Sequence, residues 1–432
     1  MSSPHGLTRG VVWSAALGIV FAAFGCSREV ARPVAALVPP VTVVAATDWF
    51  WPQEVAGAAE NKPWISHVNI SDLDRDGLAD ILFCDAKLNA VLWIRQIAPG
   101  RFAEPQVLGA ALSGVVHVEA VDMDGDGDLD LLVACMGELF PNNDKIGSVL
   151  ILENDGAQHF TPHVLAEHIA RVTDVRAGDF DGDGKLDLAV AQFGYDQGEI
   201  RWMKNLGGWQ FSSHVLLSLS GAINVCVADM NGDRTLDIVA VVSQQHEEIY
   251  LFENNGHGEF TPKKLFGSTN EDFGSSGLSL CDLNRDGRPD ILYSNGDGFG
   301  YADPGARPWH GLQWLENLGQ GFFRFHRIGQ LSGAYSPVGV DLNGDGAMDI
   351  VAVSGFNDWS DPAAAALVVF QNDGQMNFTQ KVLAHAPTQL ITCAVGSLDG
   401  SGRPAIVTGG NYSYPPFDHM GRVTLWRQKP KP

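Results

Sequence analysis

The sequence predicts an all-β fold, a seven-bladed β-propeller with four antiparallel strands in each blade. An Asp-rich segment of the form D-x-[DN]-x-D-G-x-x-D begins at Asp72 and returns about every 54 residues, a period typical of propellers and solenoids. Apolar β-branched runs such as residues 350–353 follow the copies, and no helical periodicity is present. Seven units of four antiparallel strands are most economically arranged as radial sheets around one axis.

The two ends of the chain predict how this ring closes. The seventh unit stops after its third strand, at residues 422–427, whereas residues 50–55 resemble the fourth strands that begin at Phe160 and Phe260. An open seam would leave a sheet edge unpaired. We therefore expect the N-terminal segment to provide the fourth strand of the last blade.

The first 26 residues are typical of an export signal, with Arg9 in a short polar start and an apolar run of about 15 residues. That run is shorter than the roughly 20 residues that a membrane-spanning helix needs. Residues 23–26 resemble the lipobox of bacterial lipoproteins, although Ala23 stands where Leu is usual. Cys26 is therefore a candidate for lipidation and membrane attachment, with ordinary cleavage nearby or an uncleaved anchor as alternatives.

The predicted organisation is a leader over residues 1–26, a linker rich in Pro, Ala and Val over residues 27–48, and the propeller over residues 49–432. The predicted location is secreted, periplasmic or in the cell envelope. The five cysteines after Cys26 have no CxxC or Cys/His spacing, so we expect buried apolar side chains and neither a zinc site nor a disulfide framework. They are Cys84, Cys135, Cys226, Cys281 and Cys393.

The charge of the chain restricts its partners. Acidic residues number 51 and basic residues 28, for a formal net charge of -23. A phosphate backbone or an anionic lipid surface would be repelled, so no nucleic-acid partner is expected. The acids are concentrated in short clusters at regular intervals, which is typical of cation sites.

The Asp-rich loops have the composition of calcium sites, because Ca²⁺ takes six to eight hard oxygen ligands from alternate positions of a tight turn. The first loop offers carboxylates at positions one, three, five and nine and a carbonyl at position seven: Asp72, Asp74, Asp76, Asp80 and Leu78. The next two loops repeat the four carboxylates: Asp122, Asp124, Asp126 and Asp130, then Asp179, Asp181, Asp183 and Asp187. The alternative is a set of polar hairpin turns, for which Asp, Asn and Gly are favoured anyway.

Three further loops have Asn at position three, which keeps an oxygen but removes a charge, so weaker binding is expected. They are Asp229, Asn231, Asp233 and Asp237; Asp282, Asn284, Asp286 and Asp290; and Asp341, Asn343, Asp345 and Asp349. Arg234 replaces the Gly of the fourth loop, which predicts backbone strain there. A seventh loop, beginning at Ser397, has Asp399 as its one carboxylate and is expected to hold no ion. The sequence thus predicts up to six Ca²⁺ ions.

These loops resemble the FG-GAP and VCBS repeats of the integrin α-subunit propeller and of many bacterial surface proteins. The resemblance covers about residues 49–427. It implies a seven-bladed fold and structural Ca²⁺, and it does not imply one shared activity, because propellers have many unrelated functions.

The loops that join second to third strands are predicted to lie on the face opposite the Asp loops, and they are rich in aromatic residues. Convergent loops on a rigid scaffold are common binding sites, and exposed aromatic rings suit a sugar ring or a protein segment. The candidate ligand-binding residues are Tyr195, Tyr301, Trp309, Trp359, Tyr412 and Tyr414. The alternative is that these rings pack against one another.

A second polar set lies five residues before each loop: His67, His117, Asp174, Asn224, Gly277, Ser336 and Thr392, six of them polar. They are expected on the innermost strands at the mouth of the central channel. His67, His117 and Asp174 are the candidates for holding a metal or moving a proton. The alternative is hydrogen bonding between blades or to channel water.

Three functions are compatible with this sequence. The first is a binding module outside the cytoplasm that holds a glycan or a protein. The second is a carbohydrate-active enzyme of the polysaccharide lyase kind that uses His67, His117 and Asp174. The third is an architectural surface component whose blades mediate assembly.

Overall fold

The computed structural model describes residues 43–45 and 49–429, and every regular element in these ranges is a β-strand. The strands form seven radial sheets, each with four antiparallel strands and one with an additional fifth strand, which confirms the predicted fold class. No helix within the described ranges is long and apolar enough for a bilayer span. The predicted leader, Cys26 and the rest of the linker lie outside the described residues.

Blades are numbered in chain order, and the strands of each blade are given from the axis outward. Blade 1 contains Ile65–Ser71, Asp80–Asp85, Ala90–Ile94 and Gln106–Gly109; blade 2 contains Val115–Val121, Asp130–Cys135, Gly147–Asn154 and Phe160–Ile169; blade 3 contains Arg171–Gly178, Asp187–Phe193, Glu199–Gly207 and Gln210–Leu217. Blade 4 contains Ala222–Ala228, Asp237–Val242, Glu248–Asn254 and Phe260–Gly267; blade 5 contains Ser275–Cys281, Asp290–Asn295, Gly311–Gly319 and Phe322–Gln330. Blade 6 contains Ala334–Val340, Asp349–Ser354, Leu367–Asn372 and Phe378–Ala384; blade 7 contains Leu390–Gly396, Ala405–Gly410, Val423–Gln428 and Phe50–Glu54. A short hairpin, Gln96–Ala98 with Arg101–Phe102, precedes the outermost strand of blade 1.

The ring closes as predicted, through the N-terminal strand. Phe50–Glu54 pairs antiparallel with Val423–Gln428, the third strand of blade 7. The innermost strands contact their neighbours around the axis, and that of blade 7 contacts that of blade 1. Across this last boundary the Val68 N–H donates to Oγ1 of Thr392 at 3.1 Å. The first and last blades are therefore joined both by a strand and by a direct hydrogen bond.

Part of the predicted linker also belongs to the propeller. Val43–Ala45 forms a fifth strand of blade 6, parallel to Phe378–Ala384. Its backbone thus pairs with N–H and C=O groups along the outer edge of that blade, which would otherwise be unpaired.

Burial explains why the second strands read as continuous apolar runs. Asp130–Cys135 and Asp349–Ser354 are buried over their full length, because neighbouring blades cover both faces of each sheet. The outermost strand Phe160–Ile169 has only exposed and half-buried residues. The five described cysteines form no disulfide with one another, and Cys84, Cys135 and Cys393 are buried.

Candidate cation loops and axial cavity

Each Asp loop is a tight turn held by its own carboxylates. In the first loop the Gly77 N–H donates to Oδ2 of Asp72 at 2.9 Å, and the Leu78 N–H donates to Oδ1 of Asp76 at 2.9 Å. Both bonds recur in the other five loops, at first positions Asp122, Asp179, Asp229, Asp282 and Asp341 and fifth positions Asp126, Asp183, Asp233, Asp286 and Asp345. The fixed spacing therefore corresponds to one turn geometry repeated six times.

The ninth-position carboxylates are buried and join each loop to the end of the third strand of its blade. Oδ2 of Asp80 accepts from the Leu73 N–H at 3.2 Å, and Oδ1 accepts from the Gln96 N–H at 2.7 Å. The bond to the third strand recurs at 2.7 to 2.9 Å for Asp130, Asp187, Asp237, Asp290 and Asp349. Burial raises the pKa of Asp80, Asp130, Asp237, Asp290 and Asp349 to about 6. A nearby cation would favour their ionised forms.

A recurring asparagine completes this junction, and the sequence analysis missed it. Nδ2 of Asn154 donates to the carbonyl of Leu129 at 3.1 Å, and its Oδ1 accepts from the Gly156 N–H at 3.2 Å. Equivalent bonds are made by Asn205, Asn254, Asn317 and Asn372. The signal was an N-x-G triplet at the end of the third strand in blades 2 to 6, which is also typical of an ordinary turn.

Carboxylate oxygens converge in the first three loops. One oxygen from each of three aspartates lies within 4.8 Å of the other two, in the groups Asp72, Asp74 and Asp80; Asp122, Asp124 and Asp126; and Asp179, Asp181 and Asp183. In the first loop, Oδ1 of Asp72 and Oδ1 of Asp74 are buried and have no hydrogen-bond partner among the described residues. A buried carboxylate oxygen without a partner is costly unless a cation binds it. The first loop therefore fits a hard divalent ion.

The third-position asparagines of loops four to six make an internal bond instead. Nδ2 of Asn231 donates to Oδ2 of Asp233 at 2.9 Å, and the pairs Asn284 with Asp286 and Asn343 with Asp345 repeat this bond at 3.0 and 2.8 Å. The amide N–H thus offsets part of the negative charge of the fifth-position carboxylate, as a bound ion would. The weaker binding expected at these loops remains a prediction.

Basic side chains stand against all three all-Asp loops. In the second loop Nη2 of Arg75 lies 4.0 Å from Oδ2 of Asp122, and the first and third loops are contacted by Arg95 and Lys204. Nε of Arg95 lies 2.5 Å from Oδ2 of Asp74, and its Nη2 lies 3.1 Å from Oδ2 of Asp76. Lys204 contacts Asp181 and lies 3.4 Å from Oδ2 of Asp183. Both residues occur at the end of a third strand, where blade 2 has Glu153. Burial and neighbouring carboxylates, including Glu153, raise the pKa of Asp124.

The fourth loop contains the strain that the sequence predicted. Arg234 has φ of 75°, at the position where the other five loops have Gly at 82° to 101°. A non-Gly residue in this region costs roughly 1 to 2 kcal/mol. In the seventh loop Oδ1 of Asp399 accepts from the Ser401 N–H at 2.8 Å.

The polar set on the innermost strands makes hydrogen bonds between blades. Nδ1 of His67 accepts from the Val118 N–H at 3.3 Å, and Oδ2 of Asp174 accepts from the Val225 N–H at 3.1 Å. Ser336 and Thr392 make the corresponding bonds to Cys393 and Val68. These contacts match the alternative prediction for this set, which was hydrogen bonding between blades.

His117 and Asp174 form a buried pair across blades 2 and 3. Nδ1 of His117 lies 3.2 Å from Oδ1 of Asp174, and the His67 and His117 ring centroids are 4.3 Å apart. Burial lowers the pKa of both histidines well below its usual value, which favours their neutral forms. If the Nδ1 proton of His117 faces Asp174, its Nε2 is an acceptor, and this atom has no hydrogen-bond partner in the described structure.

Aromatic loops from several blades meet over the opposite face, as expected from the topology. Tyr414 lies 6.1 Å from Phe140, 6.2 Å from Phe299 and 6.0 Å from Phe356 between ring centroids. The Gly300 N–H donates to the Tyr414 hydroxyl at 3.1 Å. These rings pack against one another: Phe356 is buried among them, and Phe140, Phe299 and Tyr414 are half-buried.

The predicted ligand-binding aromatics divide into two groups. The half-buried ones are Tyr195, Tyr301, Trp309, Trp359 and Tyr414. Tyr412 is 1% exposed, and its hydroxyl donates to the Thr388 carbonyl at 2.9 Å and accepts from the Gly421 N–H at 2.6 Å. Tyr412 is therefore a packing residue, because the loop closes over its ring, and it is not available to a ligand.

A cavity of about 350 Å³ lies at the axis beneath these loops. Its wall includes His67, His117, Arg171, Tyr195 and Phe299. A cavity of this size can admit one amino-acid side chain or one sugar ring. Donors, acceptors and aromatic faces are thus gathered at the channel mouth.

A family model and two known proteins match parts of this chain. A family model described as an FG-GAP-like repeat matches residues 72–133, 179–240 and 229–293, three segments that each contain two Asp loops. The chain is an FG-GAP repeat β-propeller. This FG-GAP propeller is 29% identical over 203 residues to a T-cell immunomodulatory protein homolog from Plasmodium yoelii yoelii. The match covers 40% of the chain and 28% of that relative. A solved Dos1 propeller structure has a TM-score of 0.49 and 12% identity, and the match covers 84% of this chain and 77% of that one.

Proposed function

We propose that this propeller is an extracytoplasmic, calcium-stabilised interaction module that holds a protein partner on its aromatic face. The observation that carries the proposal is the convergence of aromatic loops from blades 2, 5, 6 and 7 over one end of the channel, through Phe140, Phe299, Phe356 and Tyr414. Tyr and Phe rings are enriched in protein interfaces. The name of the immunomodulatory relative supports a role in protein recognition.

Calcium is proposed to stabilise the opposite face. The buried, unpartnered oxygens of Asp72 and Asp74 and the oxygen groups of the first three loops support this assignment. Asp72, Asp74 and Asp80 would hold the ion in the first loop, and the ion would supply positive charge that offsets carboxylate repulsion. Binding to the folded state alone stabilises a protein by about 2.7 kcal/mol per site at a hundredfold excess over Kd. Melting with Ca²⁺ and with EGTA tests this, and superimposable curves would reject it.

Export is proposed from the leader, with lipid attachment at Cys26. A run of about 15 apolar residues before a small-residue site supports processing at this place. Mass spectrometry of the mature N-terminus tests it. An N-terminus other than Cys26, or Cys26 without lipid, would contradict the attachment.

The partner proposal is tested by capture from the native cell surface. Tyr195→Ala and Tyr301→Ala should reduce capture, whereas Phe322→Ala should not, because Phe322 is 63% exposed on the outermost strand of blade 5. Equal loss in all three variants would indicate nonspecific adhesion. Capture that is abolished by glycosidase treatment of the partner would assign the face to a glycan instead.

A carbohydrate-active enzyme is the second candidate function. The specific observation is the His117–Asp174 pair at the wall of the axial cavity, in which Nε2 of His117 has no hydrogen-bond partner among the described residues and could accept a proton. Replacing His67 and His117 with Ala should abolish turnover of a polysaccharide substrate and leave partner capture intact. Unchanged turnover in a folded double variant would exclude this chemistry.

A further inference from the structure

We propose that the axial cavity receives an acidic side chain of the protein partner, with Arg171 as the cation that recognises its carboxylate. This inference rests on the proposed function, because it specifies a chemical group of a partner held on the same face. It is carried by the burial, orientation and unpaired charge of Arg171.

Arg171 is held rigidly at the cavity wall. It begins the innermost strand of blade 3 and is 2% exposed. Its Nη1 donates to the carbonyls of Leu139 at 3.3 Å and Phe140 at 2.8 Å. Its Cζ lies 4.7 Å from the Phe193 ring centroid and 5.6 Å from that of Tyr195. Stacking and carbonyl bonds fix the guanidinium plane, so a ligand would meet a preorganised cation.

The charge of Arg171 has no close counter-ion. No carboxylate of the described chain lies within ion-pairing distance of it. The guanidinium donates a hydrogen bond to the neutral Tyr195 hydroxyl, and Glu138 acts on it only from farther away. Arg176, which also lines the cavity, has its Nε 3.2 Å from Oδ1 of Asp174. Nε of Arg171 is buried and lacks a hydrogen-bond partner among the described residues. Burying a cation without a counter-ion costs folding free energy, and an anion that pairs with it reduces that cost.

Shape and charge favour a single carboxylate. A guanidinium edge matches the two oxygens of a carboxylate, and such charge-assisted bonds are the stronger class of hydrogen bond. A formal net charge of -23 disfavours polyanions, which would be repelled by the rest of the molecule. The cavity of about 350 Å³ and its aromatic wall suit the apolar stem of an acidic side chain.

The test titrates the full chain with two blocked pentapeptides, Gly-Gly-Glu-Gly-Gly and Gly-Gly-Gln-Gly-Gly, and follows binding by NMR. The Glu peptide should bind at least about tenfold more tightly than the Gln peptide, because only the carboxylate pairs with a cation. Arg171→Gln should remove that difference. Equal binding of the two peptides to the native chain would overturn the proposal.

A second variant covers the case in which Arg171→Gln does not fold. Gln244→Glu places a negative charge, of the same sign as the ligand carboxylate, in the cavity wall, and it replaces none of the residues described above as contacts of Arg171. It should weaken Glu-peptide binding at least about fivefold. Gln210→Glu is the matched control, because Gln210 is exposed on the outermost strand of blade 3, and it should have no effect. Equal effects of the two substitutions would overturn the cavity as the site.

Three further outcomes separate this inference from a sugar-acid site and from the proposed function. If D-glucuronate binds in an Arg171-dependent manner and the Glu peptide does not, the cavity is a sugar-acid site and the side-chain assignment is wrong. If partner capture persists unchanged in Gln244→Glu, the inference fails while the interaction module stands. If no partner is captured but the peptide difference is found, the proposed function fails and the carboxylate site stands.

Discussion

Nε of Arg95 lies 2.5 Å from Oδ2 of Asp74, so a protein cation stands against the first candidate calcium loop. Arg95 also contacts Asp76, and Lys204 has the same relationship to Asp181 and Asp183 in the third loop. These side chains reduce carboxylate repulsion without any ion. They would also compete with a divalent ion for the same oxygens.

Removing such a cation should therefore raise calcium affinity and lower stability without calcium. Arg95→Gln is expected to tighten Ca²⁺ binding about three- to tenfold, measured by calorimetry, and to lower the melting temperature in EGTA. Lys204→Gln should act likewise on the third loop. Lys264→Gln is the control, because Lys264 pairs with Glu248, away from the loops. Weaker calcium binding in Arg95→Gln would show that Arg95 orients ligands and does not compete with the ion.

The strained loop should respond to glycine. Arg234→Gly restores the residue that the other five loops use at φ of 82° to 101° and should stabilise the protein by about 1 kcal/mol, since strain relief exceeds the added flexibility of the unfolded chain. Gly287→Ala is the opposite change in the fifth loop and should destabilise by a similar amount. Chemical denaturation measures both. A destabilising Arg234→Gly would mean that contacts of the Arg234 side chain outweigh its strain.

Ring closure should depend on the bond between Thr392 and Val68. Thr392→Val keeps the shape but leaves the buried Val68 N–H without its acceptor, which should cost about 1 to 3 kcal/mol of unfolding free energy. Thr161→Val, at an exposed outer-strand position, should be near neutral. Deleting residues 49–55, which removes the closing strand, should lower the melting temperature markedly. An unchanged melt of the deletion would contradict closure by this strand.

Glu247 should make stability depend on pH. Burial raises its pKa to about 7, although Ser275 and Gly274 donate hydrogen bonds to the carboxylate. Because the folded-state value is above the unfolded one, the stabilising contribution is full below about pH 4.5 and is lost as pH rises through 7. The loss amounts to up to about 3 kcal/mol.

Glu247→Gln isolates this contribution from the acidic loops. The stability of the variant relative to the native chain should rise between pH 5 and pH 8, because the native chain alone acquires a buried charge. Denaturant unfolding at several pH values measures the difference. A difference that is constant across this range would show that Glu247 does not titrate there.

The sequence by itself determined the repeat, the number of blades, the closing strand and the positions of the turn carboxylates. These features are local: Asp72, Gly77 and Asp80 lie in one nine-residue turn, and the apolar runs beside them report burial on both faces of a sheet. The strain at Arg234 was predictable for the same reason, since a single turn position requires positive φ.

Only the tertiary structure decided what the polar and aromatic side chains contact. Arg95 reaches Asp74 from the end of the third strand, His117 meets Asp174 across two blades, and the Tyr412 ring is enclosed by its own loop. Arg171 lacked any sequence signal, because its unpaired charge depends on which residues surround it when the ring has closed. Local spacing defines a turn, whereas burial and partners are set by contacts between blades that are distant in the chain.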